Sequence, residues 1–187
     1  MRDDWQNGQS VGPGMRQSCR PGPRDASSTF ATIRASRMSA SVTLQRDVRL
    51  YIYHQIIETA SAPSPADAAA ALACRLEDAE AAFRALAAAR MIVLRPGTLQ
   101  VWMAMPFSNV QTPFTVISGG RAYYANCAWD AFGVAAVMKA DARVFTTCAD
   151  CGGVIERKIA RGAVGDPRGV VHFALPPRRW WEDIGYT

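Results

Sequence analysis

Two residues have types and a spacing that could do chemistry together: Cys127 and Asp130, in Tyr124-Ala125-Asn126-Cys127-Ala128-Trp129-Asp130-Ala131. On a helix, positions three apart share a face. The pair would set a soft nucleophile beside a proton donor. Cys127 falls where a β-prone run, residues 121–125, meets a helical pattern over residues 128–140. A helix N-terminus offers free N–H groups and partial positive charge, which favour a thiolate. The same letters also suit a buried cysteine and a helix-start aspartate.

A second thiol pair lies in Cys148-Ala149-Asp150-Cys151-Gly152-Gly153, on an expected turn between two strands. Zinc needs four ligands, and a second CxxC or a histidine pair is missing. His172 is the nearest candidate, on an expected strand over residues 170–175. The βα context of a redox dithiol is absent. A structural pair, or an accessory site for a soft metal, is the reading favoured, so Cys148 and Cys151 join Cys127 as candidate metal ligands. Cys74 reads as a small core residue in a turn, Cys19 as incidental, and His54 as a structural histidine on a largely apolar face.

The elements that must position these residues follow from pattern. Residues 43–60 have a 3.6-residue apolar period (Leu44, Val48, Tyr51, Ile52, Ile56), with Thr43 as N-cap. Ser64-Pro65-Ala66-Asp67 opens a second helix to about Ala73, with Ser64 capping and Asp67 near the box position. A third runs over residues 76–90. Residues 91–94 and 99–103, turned by Pro96-Gly97, form a hairpin. Three helices and a hairpin are a winged-helix pattern. In a DNA-binding version the third helix would enter the major groove. Its outward residues include Glu77, Asp78 and Glu80, which phosphate would repel, so the unit reads as scaffold.

Beyond Pro113, residues 114–117 and 121–125 form strands about the Gly119-Gly120 turn. A helix follows, with Trp129, Phe132, Ala136 and Val137 on one face. Strands at 142–146, 154–159 and 170–175 complete the pattern, residues 161–169 joining the last two. The class is α+β: a helix on a mainly antiparallel sheet. The domains expected are a basic tail (1–41), a winged-helix-like unit (42–105) and an α+β catalytic unit (106–187).

Composition sets the limits. Of 187 residues 49% are hydrophobic and 20% charged, a globular balance. No run of 18 apolar residues would span a membrane. Residues 1–41 have six arginines against three aspartates, whereas the remainder is close to balance, so no broad nucleic-acid footprint is expected. The tail, with Gly12-Pro13-Gly14 and Pro21-Gly22-Pro23, lacks a periodic apolar face and reads as disordered. Met38 is an alternative expected start.

Pro113-Phe114, the Gly119-Gly120 turn, the Tyr124–Ala131 motif and the tail Trp180-Trp181-Glu182-Asp183-Ile184-Gly185-Tyr186-Thr187 together resemble the organomercurial (alkylmercury) lyase family. The likeness covers about residues 45–187. It implies protonolysis of a carbon–mercury bond to Hg(II) and a hydrocarbon, with Cys127 as first thiolate and Asp130 as proton relay. Hg(II) is soft and prefers thiolates. No cofactor is implied, because mercury enters with the substrate and thiols release the product. Implied partners are organomercury compounds and, as Hg(II) acceptors, cellular thiols or a mercuric reductase. Membrane and nucleic-acid partners are not expected, and the location expected is the cytoplasm. In the family, a cysteine near Cys148 is structural, and a second catalytic cysteine follows residues matching Tyr186-Thr187. The expectation is therefore either a chain truncated just before that cysteine or a member that lacks it, and in both cases one that binds organomercury but cleaves it poorly. Two rivals are a winged-helix metal-responsive regulator and an inactive mercury-sequestering member.

Overall fold

The computed structural model describes residues 26–166 and 168–185, with side chains from residue 41 onward. The chain divides into two units, Met1–Arg37 and Met38–Thr187. In the first, the described backbone is helical from Ala26. The rest of the expected tail, Cys19 included, lies outside the described residues.

Helix α1 spans Ala26–Thr59, so Thr43 lies within it and is not its N-cap. No proline or glycine occurs between Pro23 and Pro63 to break the helix earlier. Its Val48, Ile52 and Ile56 are buried. Helix α2, Pro65–Ala71, begins as its letters require: Ser64 Oγ accepts the Asp67 N–H, and Asp67 accepts the Ser64 N–H at 2.8 Å. Helix α3, Leu76–Ala88, buries Ala79, Ala82, Phe83 and Leu86. On its outer side Arg75, at the N-cap, pairs with Asp78, and Arg84 pairs with Glu80.

Eight strands form one antiparallel sheet: β1 (Val93–Leu94), β2 (Val101–Ala104), β3 (Phe107–Ser108), β4 (Thr115–Ser118), β5 (Arg121–Ala125), β6 (Ala142–Thr147), β7 (Val154–Ala160) and β8 (Ala163–Val164). Their order is β1-β2-β3-β5-β4-β6-β7-β8. The class is α+β. The sheet runs across the boundary expected at 105/106, because β2 pairs with β3 through Met103↔Ser108 and Ala104↔Phe107. Strand β3 is too short to show as a periodic run. Helix α4, Ala128–Met138, packs Ala131, Val134 and Ala135 inward. Its buried stripe is therefore not the expected Trp129–Phe132–Ala136–Val137 face, and Trp129 is 66% exposed. A Cβ on Gly133 would stand 3.2 Å from Pro106 Cβ, which marks how closely α4 approaches the β2–β3 turn.

One core joins helices and sheet, with Val48, Ile52, Phe83, Leu86, Phe107, Val116 and Val134 among its members. Burial of each large side chain stabilises by about 1.5–3 kcal/mol. Polar links fix the register between the layers. Tyr123 Oη donates to the Ile57 carbonyl at 2.7 Å, Tyr53 Oη to the Met105 carbonyl at 2.8 Å, and the Ala62 N–H to Asn109 Oδ1 at 2.8 Å.

Two further expectations are corrected. His54 is solvent-exposed at 71%, with Glu58 3.9 Å away, so it is not a packed structural histidine. The strand expected over residues 170–175 is irregular chain, and the last strand is β8 instead. Val170 is 93% exposed, and among the described residues no strand pairs with this run. No described helix is long and apolar enough to cross a membrane.

Candidate functional site

Strand β5 delivers the chain to Asn126, and Cys127 then caps α4 with extended backbone (φ −152°, ψ 179°). Its sulfur accepts the Asp130 N–H at 3.5 Å, so the thiol is held in the N-cap role that serine or aspartate usually fills. The helix therefore places the Cys127 sulfur and the Asp130 carboxyl at one end of α4.

Burial reverses the expected thiolate preference. Desolvation pushes the Cys127 thiol above its ordinary range. N–H groups of Asp130 and Trp129 pull it down, and the Asp130 charge pushes it up again, but burial is the largest cause. Asp130 is raised too, chiefly by burial, with partial relief from hydrogen bonds to Asn126 and Cys127. Two adjacent groups at the α4 terminus thus both resist charging.

Asn126 was not visible as a site residue from sequence. Its Nδ2 donates to Asp130 Oδ2 at 3.0 Å and lies 3.4 Å from the Pro106 and Phe107 carbonyls. Those three neighbours are acceptors, which fixes the amide orientation. Its Oδ1 is buried without a hydrogen-bond partner. Tyr53 is a more distant member: burial raises its phenol, Arg49 opposes this, and the Asp130 charge adds to the rise.

A cavity of about 50 Å³ holds Cys127 and Asp130, walled by Met103, Met105, Asn126, Trp180 and Ile184. The wall is apolar and sulfur-rich, a medium suited to a soft electrophile. Trp180 and Ile184 come from the far end of the chain. A 3₁₀ turn over Pro177–Glu182 presents Trp180, whose Nε1 donates to the Leu175 carbonyl at 2.9 Å and whose ring lies 5.2 Å from Phe173. Arg90 lies over Trp181 at 5.1 Å. A Cβ on Gly185 would fall 2.5 Å from the Trp102 ring, so the tail closes on β2 through a residue without a side chain. Tyr186 and Thr187 lie outside the described residues.

Cys148 and Cys151 are not brought to this cavity. Cys148 lines a larger one, about 690 Å³, with Thr146, Asp150, Asp166 and His172 among its walls. Among the described residues, no three His, Cys, Asp or Glu side chains are placed to hold a metal ion. Cys74 is half-buried in the α2–α3 turn.

The resemblance drawn from the residues around Cys127 and the tryptophan-rich tail is borne out: residues 107–187 match the family model described as alkylmercury lyase. A crystal structure of the mercury-bound form of MerB2 superposes with a TM-score of 0.54 at 20% identity, over 66% of this chain and 58% of that one. At that identity the likeness speaks to the fold. The chain thus spans less than two thirds of that protein's length. No curated protein matches this sequence.

Proposed function

We propose that this chain, similar over residues 107–187 to alkylmercury lyases, binds organomercury at Cys127 and protonates the carbon it releases from Asp130. The observation that supports this reading is the joint placement of Cys127 and Asp130, both with raised proton affinity, in one small apolar cavity.

The chemistry balances on these two groups. At neutral pH the thiol keeps its proton, because burial raises it. An incoming R–Hg–X forms the Cys127 S–Hg bond, X⁻ departs, and the displaced thiol proton passes to the Asp130 carboxylate. The carboxyl then gives that proton to the carbon, the C–Hg bond breaks, and R–H leaves. Asp130 returns to its ionised form, and Hg(II) remains on Cys127 with a solution thiol as its second ligand. Burial favours the protonated form of this carboxyl, which suits it to carry the proton to carbon. Asn126, through its bond to Oδ2, aims the carboxyl. The proposed acceptors of Hg(II) are cellular thiols or a mercuric reductase, and the proposed location is the cytoplasm.

The test is release of benzene from phenylmercury by the purified chain with excess thiol, followed by gas chromatography. The expected result is release above the thiol-only background that disappears in Cys127→Ser. No release by the wild-type chain, with phenylmercury retained through dialysis, would favour the sequestering reading instead. A gel shift of an operator fragment would favour the regulator.

A further inference from the structure

We propose that Cys148 and Cys151 form a dithiolate site for Hg(II), separate from the Cys127 cavity, on the turn between β6 and β7.

The turn is built to converge two sulfurs. The Cys148 N–H donates to the Gly153 carbonyl at 2.8 Å, and the Gly152 N–H returns to the Cys148 carbonyl at 2.9 Å. Gly152, at φ +70°, makes the reversal a side chain would resist. The N–H groups of Asp150 and Cys151 and the Cys151 thiol all address the Cys148 sulfur. The Cys151 sulfur lies over Gly153, where an added Cβ would come within 3.4 Å. Both thiols are free, and Cys151 is exposed. The donors therefore stand together at a surface turn.

The number of donors selects the ion. Zinc needs a tetrahedral set, and no third His, Cys, Asp or Glu joins the pair among the described residues. Hg(II) is satisfied by two thiolates in near-linear array, and soft sulfur is its preferred ligand. The adjoining cavity of about 690 Å³ has room for an ion arriving with a thiol still attached. Thr146 Oγ1, buried and without a hydrogen-bond partner, is in its wall. So is Ala128, the residue after Cys127, so the two sites open on either side of the α4 N-terminus.

The transfer is a ligand exchange with no redox change. Cys127–S–Hg–SR meets the two thiols of the turn. Two Hg–S bonds form, two break, and the two thiol protons end on Cys127 and on RSH. That the ion comes from Cys127 rests on the function proposed above; the capture of Hg(II) by the pair does not.

The test therefore uses inorganic Hg(II). The reduced 187-residue chain receives one equivalent of HgCl₂ in a tenfold excess of glutathione, and bound mercury is measured after desalting. Retention of about one equivalent is expected for wild type and for Cys127→Ser, because an intramolecular second thiol has a high effective concentration. Cys148→Ser/Cys151→Ser and each single serine variant should retain at least tenfold less. Equal retention by the single variants, or loss in Cys127→Ser, would overturn the site. In wild type, one equivalent of mercury should protect Cys148 and Cys151 together from iodoacetamide, read by peptide mass. Protection of Cys127 or Cys74 instead would also overturn it. One equivalent of zinc held in preference to mercury would refute the ion assignment. Failure of benzene release leaves all of these readouts intact, so the two proposals fail separately.

Discussion

Cys127 and Cys148 both follow a strand, and both sulfurs accept backbone N–H groups, yet their proton affinities move in opposite directions. At Cys127 the strand leads into a helix packed against β3, β4, β5 and β6, and burial outweighs the helix terminus. At Cys148 the strand leads into a surface turn, and N–H donation acts almost unopposed, so the thiol is lowered. A hydrogen-bond donor's effect on a thiol depends on whether water has been removed from around it. The buried sulfur suits a reaction in which the substrate itself displaces the proton. Cys148, half-buried beside the exposed Cys151, suits capture of an ion already free to exchange.

The comparison can be broken at several points. Asp130→Asn keeps size and still receives the Asn126 hydrogen bond, but holds no transferable proton. Phenylmercury should still bind, while single-turnover benzene release falls by about 100-fold or more; an unchanged rate would remove Asp130 from the proton path. The two thiols should also separate by reactivity, since the thiolate is the nucleophile. At pH 7, Cys148 should react with iodoacetamide roughly tenfold faster than Cys127, with the gap narrowing as pH rises. Equal rates would mean that burial does not govern Cys127.

A third variant addresses the wall. Gly185→Ala places a methyl group against the Trp102 ring and should displace Trp180 and Ile184 from the cavity. Cys127 alkylation should accelerate, by about threefold, while Cys148 stays unchanged. The smallest effect concerns stability. Because Asp130 is raised in the folded chain, its contribution is fully present below the unfolded aspartate pKa and is lost as pH rises through the folded value. Thermal melts should therefore show Asp130→Asn gaining on wild type as pH increases from 4 to 8, by about 1 kcal/mol at most. A gain that grows toward acid pH would contradict the burial account.

Much of the local structure was legible. The Ser64-Pro65-Ala66-Asp67 capping box, the Gly119-Gly120 turn with both residues at positive φ, the start of α4 at Ala128 and the CxxC turn all depend on interactions within five residues. The spacing that puts Cys127 and Asp130 on one helix end is of the same kind. The errors lie where neighbours in space are distant in sequence. Val170–Leu175 has strand-forming letters but, among the described residues, no strand pairs with it, and His54 lies on an exposed face of its helix.

What the sequence determined by itself, then, was the identity and pairing of the reactive groups, because a helix turn or a tight turn sets those distances within a few bonds. Their chemical character was decided only by tertiary structure. The walls of the Cys127 cavity come from β2, the β2–β3 turn, α4 and the 3₁₀ turn over Pro177–Glu182, segments up to about 80 residues apart. Desolvation is the sum over all of them, and no local window contains it. The N–H groups around Cys148 are local, so its lowering required nothing beyond its own turn.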